Sequence, residues 1–270
     1  MLTDYHIHVE KGPYTVEWLQ KFYHQVQRLG IGDWGISEHA YRFKETRAIF
    51  YNQWVGQRQT ERMQDYLTMI NSARKHGINV KFGIEVDYFP GKEKEIAAFI
   101  NNYPFDYVIG SVHWIDDWGF DLTEMIAEWD KRKVESVWQA YFDRIVCLAE
   151  SKLFDIAGHL DLAKIYNYVP DNQEFLHRQY QRVAKALAQN NLCIEISTAG
   201  LRKPVREIYP HPQLLQVCQQ QKIPIVINSD AHCPEDVGAS YNQALALARQ
   251  VGYTEIQVFT ARKSKAYPLG

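Results

Sequence analysis

The chain has 270 residues, of which 46% are hydrophobic and 23% charged, an ordinary globular composition with enough apolar material for one large core. Its formal net charge of −2 gives no support for broad electrostatic binding to nucleic acid or an anionic membrane. The first residues lack the basic start and apolar stretch of a signal peptide, and no apolar run approaches the roughly 20 residues of a membrane span, so we expect a cytoplasmic protein.

Strands and helices are predicted to alternate through the first half of the chain. The strands are predicted at residues 2–7, 33–37, 80–86 and 105–112, and the helices at 15–29, 58–76 and 92–101. The first helix has apolar residues on one face, and Gly30 is well placed to end it. Residues 41–57 are aromatic and rich in charge, which predicts a loop over an open face.

The same alternation continues through the second half. Strands are predicted at 155–158, 192–196, 223–228 and 255–259, and helices at 133–151, 173–189, 213–221 and 241–250. Polar residues follow nearly every strand at intervals that match a βα unit. This favours a (β/α) barrel over an open sheet, in which such residues would concentrate at one switch point. No linker or composition break divides the chain, so residues 1–270 are predicted to form a single domain.

Histidines and acids occupy the predicted strand ends. His6 and His8 lie two residues apart on a strand and therefore point the same way. Glu85 interrupts an apolar strand, where an unpaired carboxylate would be costly, and Asp230 and His232 form a second acid–imidazole pair. Parallel strands direct their carboxyl ends to one face. We therefore expect these side chains to converge on a cluster of divalent metals.

Other chemical motifs are missing from the sequence. There is no Gly-rich nucleotide loop, no Gly-x-Ser-x-Gly elbow and no helical His-Glu-x-x-His. The four cysteines are far apart and form no Cys-x-x-Cys pair, so neither a zinc ribbon nor a disulfide framework is expected. Four further histidines lie on or beside predicted helices and are expected to be ordinary surface or hydrogen-bonded residues: His24, His76, His177 and His211.

The ordered set of strand-end motifs resembles the polymerase and histidinol phosphatase (PHP) superfamily over essentially the whole chain. The motifs are DYHIH at 4–8, SEH at 37–39, GIEVDY at 83–88, GSVHW at 110–114, GHLD at 158–161 and NSDAH at 228–232. The stretch EISTAGLRKP at 195–204 is similar to the histidinol-phosphate phosphatase branch rather than to the polymerase-associated one.

This resemblance implies an α/β fold: a distorted (β/α)7 TIM-like barrel with its metal site at the C-terminal ends of the strands. It implies two or three divalent ions of zinc, manganese, iron or cobalt. The implied ligands are His6, His8, Glu85 and Asp230 for one ion, Glu85, His113 and His159 for a second, and His39 and His232 for a third. Trinuclear relatives often supply a further histidine shortly after the first pair. Here Glu10 is predicted to take that place, the alternative being a solvated or substrate-facing carboxylate.

The implied activity is hydrolysis of L-histidinol phosphate to L-histidinol and phosphate in histidine biosynthesis, by attack of a hydroxide that bridges two ions. The leaving alkoxide needs a proton, and the candidate donors are Asp230, His232 and Asp161. The predicted substrate contacts are Arg202, Lys203, Arg42 and Trp114, with Asp116 or Asp117 opposite the substrate's ammonium.

Two other functions remain open at this point. One is a phosphoesterase that acts on another small phosphate or a nucleotide, and the other is a non-catalytic, metal-binding regulatory protein. The expected partner is a small-molecule phosphate ester, without nucleic acid or membrane. The sequence makes no prediction of the oligomeric state.

Overall fold

A ring of short parallel strands forms the centre of the protein. The computed structural model describes residues 1–270. Its strands in chain order are β1 (Thr3–Asp4), β2 (Asp33–Ile36), β3 (Lys81–Asp87), β4 (Tyr107–Ser111), β5 (Trp114–Ile115), β6 (Trp118–Gly119), β7 (Ile156–Ala157), β8 (Cys193–Ser197), β9 (Ile225–Asn228), β10 (Glu255–Thr260) and β11 (Lys263–Pro268). Seven of them form one sheet in the order β1-β2-β3-β4-β7-β8-β9, and every pairing in it is parallel.

The sheet closes through backbone bonds beyond the ends of its outer strands. The His8 N–H donates to the Ala231 carbonyl at 2.7 Å, and the Ala231 N–H donates to the His6 carbonyl at 3.1 Å. Strand β1 is shorter than predicted because only two of its residues pair regularly with β2, although the chain beyond it still pairs across the closure. The predicted distorted (β/α)7 barrel is confirmed.

Helices surround the barrel. They are α1 (Val16–Leu29), α2 (Gln53–Arg58), α3 (Met63–Lys75), α4 (Glu93–Asn101), α5 (Val134–Ser151), α6 (Gln173–Gln189), α7 (Pro212–Gln220) and α8 (Tyr241–Val251). Helix α1 has the predicted ends: the Thr15 side chain accepts a hydrogen bond from the Trp18 N–H, and Gly30 ends the helix with a φ of 65°. No helix in the structure combines the length and the apolar character that a membrane crossing needs.

The predicted loop at 41–57 contains short helical segments. Two 3-10 turns, Ala40–Arg42 and Lys44–Thr46, precede helix α2. Helix α2 has only six residues, too few for a helical period to be recognised in the sequence. Trp54 on α2 lies with its ring 5.6 Å from that of Trp114, so the segment covers the end of the barrel, as predicted.

The last two strands form a hairpin outside the barrel. The strand predicted at 255–259 is present as β10, but it pairs antiparallel with β11 and not with the seven-stranded sheet. Phe259 packs its ring edge against Tyr5, 6.0 Å away. Arg262, in the turn, binds Asp155 at 2.8 Å, just before β7 begins. The hairpin therefore closes the end of the barrel at which the strands begin.

Tyr107 fills the end of the barrel at which the strands begin. Its hydroxyl donates to the Tyr5 carbonyl at 2.6 Å, and its ring lies directly against Gly83 on β3. A Cβ at Gly83 would lie only 2.2 Å from the Tyr107 Cζ. Seven buried residues pack here: Tyr5, Tyr107, Ile109, Ile156, Cys193, Val226 and Phe259. The interior is thus a packed core rather than a channel.

Substituting Gly83→Ala should destabilise the protein by about 1–3 kcal/mol, because an added methyl group overpacks a filled core. The midpoint of urea unfolding, followed by circular dichroism, measures the effect. Gly32→Ala is the control, since the nearest atom to its added Cβ is 3.4 Å away, and it should change stability by less than about 0.5 kcal/mol. Equal stability of the two variants would contradict the proposed tight contact.

Candidate metal centre

The carboxyl ends of the barrel strands bring all the predicted metal-binding residues together. Four overlapping groups have potential ligand atoms within 4.8 Å of one another. The groups are His6–His8–Glu85, Glu85–His113–His159, His6–His159–Asp230, and His8–Glu10–His39–His232. The nine residues come from segments between positions 6 and 232, and each follows a barrel strand except Glu85, which lies within β3. The geometric expectation drawn from the parallel strands is therefore met.

Glu85 is the common centre of the cluster. Its two carboxylate oxygens face ring nitrogens of five histidines: His39 at 2.6 Å, His6 and His159 at 3.2 Å, His113 at 3.6 Å and His8 at 3.7 Å. Burial raises the pKa of Glu85, but the imidazoles of His6 and His39 outweigh this effect and hold the pKa well below its usual value. The carboxylate is therefore ionised in a site shielded from water.

Asp230 approaches the cluster from a strained turn after β9. Its φ is 50°, a left-handed conformation that costs about 1–3 kcal/mol outside glycine. The Oδ1 atom lies 3.4 Å from His8 Nε2 and 3.3 Å from His232 Nε2. Arg202 holds this turn, because its Nη2 donates to the Ser229 carbonyl at 2.7 Å and to the Asp230 carbonyl at 3.1 Å.

A second layer of acids orients the histidine rings. His6 Nδ1 lies 2.7 Å from Glu195 Oε1, and His113 Nδ1 lies 2.7 Å from Asp87 Oδ1. These contacts leave each Nε2 directed at Glu85, the arrangement that fixes imidazole ligands around metals. Neither Glu195 nor Asp87 is among the ligands predicted from the sequence, although Glu195 is one of the acids at the predicted strand ends. Asp87 had a local signal, since it lies two residues after Glu85 on β3 and points the same way.

Several of the close approaches around Glu85 are not hydrogen bonds. Although they are buried, His6 Nε2, both ring nitrogens of His8 and Glu85 Oε2 have no partner in hydrogen-bonding geometry. Buried polar atoms without partners are costly. Burial, with His39 and His232 nearby, lowers the pKa of His8 to about 3, so its ring is neutral, as a metal ligand must be. The residues present therefore fit divalent metal ions.

Nearby carboxylates raise the pKa values of two histidines of the cluster, His113 and His232. Burial lowers the pKa of His113, but Asp87 and Glu85 together raise it to about 10. Burial likewise lowers the pKa of His232, whereas Asp230 and Glu10 raise it to about 9. The carboxylates thus favour a cation at these rings, which is either a proton or a metal ion.

Six residues of the cluster line a cavity of about 340 Å³: Glu10, His39, His113, His159, Asp230 and His232. Three of the predicted substrate contacts, Arg42, Lys203 and Trp114, line this cavity. Arg202 does not, because its guanidinium binds the carbonyls of the turn at Asp230. Its predicted role as a phosphate contact therefore does not fit its position. Trp54 and Arg58 of α2 also line the cavity.

Asp161 is the predicted proton donor that lies away from the cavity. Its carboxylate is fully buried, accepts a hydrogen bond from the His211 N–H at 2.7 Å and lies 3.1 Å from the ammonium of Lys164. These contacts attach the turn after β7 to the start of α7, which is a structural role. Asp230 and His232, the other two candidates, line the cavity.

The acids of the cavity wall differ from those expected. Asp116 is exposed and pairs with Arg144 at 2.8 Å, and Asp117 does not line the cavity of the metal-binding residues. Asp121 and Glu124 line it instead. Both come after the β5–β6 hairpin, in a stretch without a predicted strand end, so no sequence pattern singles them out.

Most of the chain is similar in sequence to known proteins. Residues 4–199 match the family model for the PHP domain. A protein of Deinococcus radiodurans, named probable histidinol-phosphatase, is 36% identical over 196 residues, covering 71% of this chain and 74% of that protein. The histidinol-phosphatase of Bacillus subtilis is 25% identical over 267 residues, covering 90% and 97% of the two chains.

A solved structure shows the same fold. It is histidinol phosphate phosphatase from Lactococcus lactis subsp. lactis, complexed with zinc, L-histidinol and phosphate. The superposition has a TM-score of 0.76 at 22% sequence identity and covers 98% of each chain. Since the family model spans the segment that carries Glu85 and most of the clustered histidines, and the strand arrangement agrees, the chain belongs to the PHP domain family.

Proposed function

We propose that this protein is a metal-dependent phosphate monoester hydrolase that converts L-histidinol phosphate to L-histidinol and phosphate in histidine biosynthesis. The observation that carries the proposal is the buried Glu85 carboxylate and the five histidines around it. Three of these histidines, His39, His113 and His159, line a cavity with cationic and aromatic walls. The names of the relatives support the choice of substrate.

The ligands fall into three groups around shared side chains. In this proposal His6, His8, Glu85 and Asp230 would hold one ion, Glu85, His113 and His159 a second, and Glu10, His39 and His232 a third; their potential ligand atoms lie in overlapping groups. Imidazole and carboxylate donors suit zinc, manganese, iron or cobalt. When bound, such ions act as Lewis acids that lower the pKa of a water molecule and offset the charge of the phosphoryl oxygens.

Glu10 belongs to the third group in this proposal. Its Oε1 lies 2.8 Å from His232 Nδ1, and its Oε2 lies 3.6 Å from Arg42 Nη1. Burial raises the pKa of Glu10, but His232, His39 and His8 outweigh this effect and hold the pKa well below its usual value. The carboxylate is therefore ionised and available as a ligand. In this proposal it takes the part that the family resemblance assigns to a further histidine.

The cavity walls offer complementary groups for an amino-alcohol phosphate. Lys203 lines the cavity and forms no ion pair in the structure, which leaves its ammonium for the phosphoryl oxygens. Arg42 is close to three carboxylates, those of Glu10, Glu38 and Glu61. These acids partly neutralise its positive charge, so it attracts the phosphate less strongly than Lys203 does. Trp54 and Trp114 supply apolar surface for the imidazole ring of the substrate.

The leaving alkoxide receives its proton from Asp230 or His232 in this proposal. Both side chains line the cavity, and the His232 Nε2 lies 3.3 Å from Asp230 Oδ1. Burial raises the pKa of Asp230, but His6 and His232 hold it well below its usual value. The pKa of His232 is about 9 despite its burial, so the proton of this pair resides on the imidazole whenever His232 holds no ion.

Protein reconstituted with zinc or manganese should release phosphate from L-histidinol phosphate faster than from p-nitrophenyl phosphate, and should not cleave DNA.

Glu85→Gln should remove at least one ion per chain and lower kcat by about a thousand-fold or more, because several kcal/mol of metal stabilisation are lost. Phosphate release and metal content by plasma mass spectrometry measure the two effects.

Glu135→Gln is the matched control, since Glu135 is an exposed residue in the first turn of α5. It should keep the metal content and the rate of the parent protein. A fully metal-loaded parent that releases no phosphate would instead favour a metal-binding regulatory protein.

Glu10→Gln should lower the metal content by about one ion per chain while the Glu85-centred ions remain, because an amide oxygen is a weaker ligand than a carboxylate. Metal analysis after dialysis against a metal-free buffer measures the stoichiometry. Glu17→Gln, a change early in α1, serves as the control. Identical metal content in parent and Glu10→Gln would show that Glu10 is not a ligand.

Lys203→Gln should raise KM about ten-fold for both L-histidinol phosphate and p-nitrophenyl phosphate, because both substrates present the same phosphoryl group to the lost ammonium. Inhibition by inorganic phosphate should weaken in parallel. Lys185→Gln, at an exposed position of α6, should leave these constants unchanged. If the KM values and the inhibition constant are unaltered in Lys203→Gln, phosphate binds elsewhere.

A further inference from the structure

We propose that Asp121 binds the cationic amine of the substrate and so makes the protein selective for amino-alkyl phosphates. This inference rests on the proposed function, which it extends from the phosphoryl group to the organic half of the substrate. It follows from the contacts of the acids that line the cavity, from the rigid placement of Asp121, and from its burial.

Four carboxylates line the cavity, and three have cationic partners within the protein. Glu10 and Asp230 both contact His232, and Glu124 lies 3.6 Å from the Arg58 guanidinium. Asp121 has neither an ion pair nor a side-chain hydrogen bond, and its Oδ1 is buried without a partner. It is therefore the cavity carboxylate whose charge the protein leaves free.

The backbone around Asp121 is fixed in place. The Tyr166 hydroxyl donates to the Asp121 carbonyl at 2.7 Å, and the Trp129 indole N–H donates to the Phe120 carbonyl at 2.9 Å. The Phe120 N–H donates in turn to the His113 carbonyl at 3.3 Å, which connects the segment to the metal centre. Asp121 thus holds a defined position beside the reacting end of the cavity, as a recognition group must.

Burial gives this carboxylate a reason to bind a cation. Desolvation raises the pKa of Asp121, although His113 counteracts part of this effect. A half-buried, unpaired carboxylate is unfavourable, and a bound ammonium group offsets that cost with a charge-assisted hydrogen bond. A neutral ligand group in the same place leaves the carboxylate unpaired, so the site discriminates against substrates that lack the amine.

Asp121→Asn tests the proposal with three substrates: L-histidinol phosphate, its des-amino analogue, which keeps the imidazole and the phosphate, and a neutral primary-alkyl phosphate. The substitution should raise KM for L-histidinol phosphate about 10- to 100-fold, the loss expected for one hydrogen bond to a charged group. The KM values of the two substrates without an amine should stay within about two-fold, since they never made this contact.

The product provides an independent measure of binding. The inhibition constant of L-histidinol should rise in Asp121→Asn by the same factor as KM, whereas that of inorganic phosphate should not change. Asp117→Asn is the matched control, because Asp117 lies in the turn between β5 and β6, is exposed, and does not line this cavity. It should leave all of these constants unaltered.

Different failures are distinguishable. If the parent releases no phosphate from L-histidinol phosphate, the proposed function fails, and binding of L-histidinol to the metal-loaded protein by calorimetry still tests Asp121. If Asp121→Asn changes kcat equally for all three alkyl phosphates, Asp121 acts in the chemical step and the recognition proposal is overturned. Unchanged KM and inhibition constants in Asp121→Asn would overturn it as well.

Discussion

A buried, ionised carboxylate organises this protein. Glu85 lies on β3 among mostly apolar neighbours, and its negative charge is shielded from water. Such a charge is tolerated only where positive charge or coordinating ions surround it. Five imidazoles surround Glu85 and are placed to hold such ions beside it, and a second set of acids, Asp87 and Glu195, fixes the orientation of two of them. The metal centre thus compensates the buried negative charge of Glu85.

The same residues that build the metal centre also close the barrel. The backbone of His6 and His8 bonds to Ala231, between Asp230 and His232. A change in these backbone hydrogen bonds would therefore move His6 and His8 on one side and Asp230 and His232 on the other. Arg202 contributes to this arrangement because it binds the carbonyls of the strained turn at Asp230. This cation, which a sequence pattern suggests as a substrate contact, instead holds a metal-binding side chain in position.

The cavity above the centre is chemically divided. Lys203 and Arg42 supply positive charge, Trp54 and Trp114 supply apolar surface, and Asp121 supplies an unpaired negative charge. A phosphate monoester whose organic half carries an amine and an aromatic ring complements all three features. The PHP fold itself does not select such a substrate, because a fold hosts many functions and specificity depends on the side chains around the site.

The sequence by itself determined the seven barrel strands and every helix except α2, and it predicted the cluster of histidines and acids at the strand ends. Helix α1 is capped by Thr15 and Gly30, as predicted, because capping depends on residues that are neighbours in the sequence. His6, His8, Glu85 and the later histidines could be assigned because parallel strands carry their ends to one face whatever lies between them. Only the tertiary structure decided the rest. Asp161 binds a backbone group fifty residues away, the last hairpin covers the bottom of the barrel, and Asp121 enters the cavity from a segment without a periodic signal. These placements depend on long-range contacts, for which short-range sequence patterns carry no information.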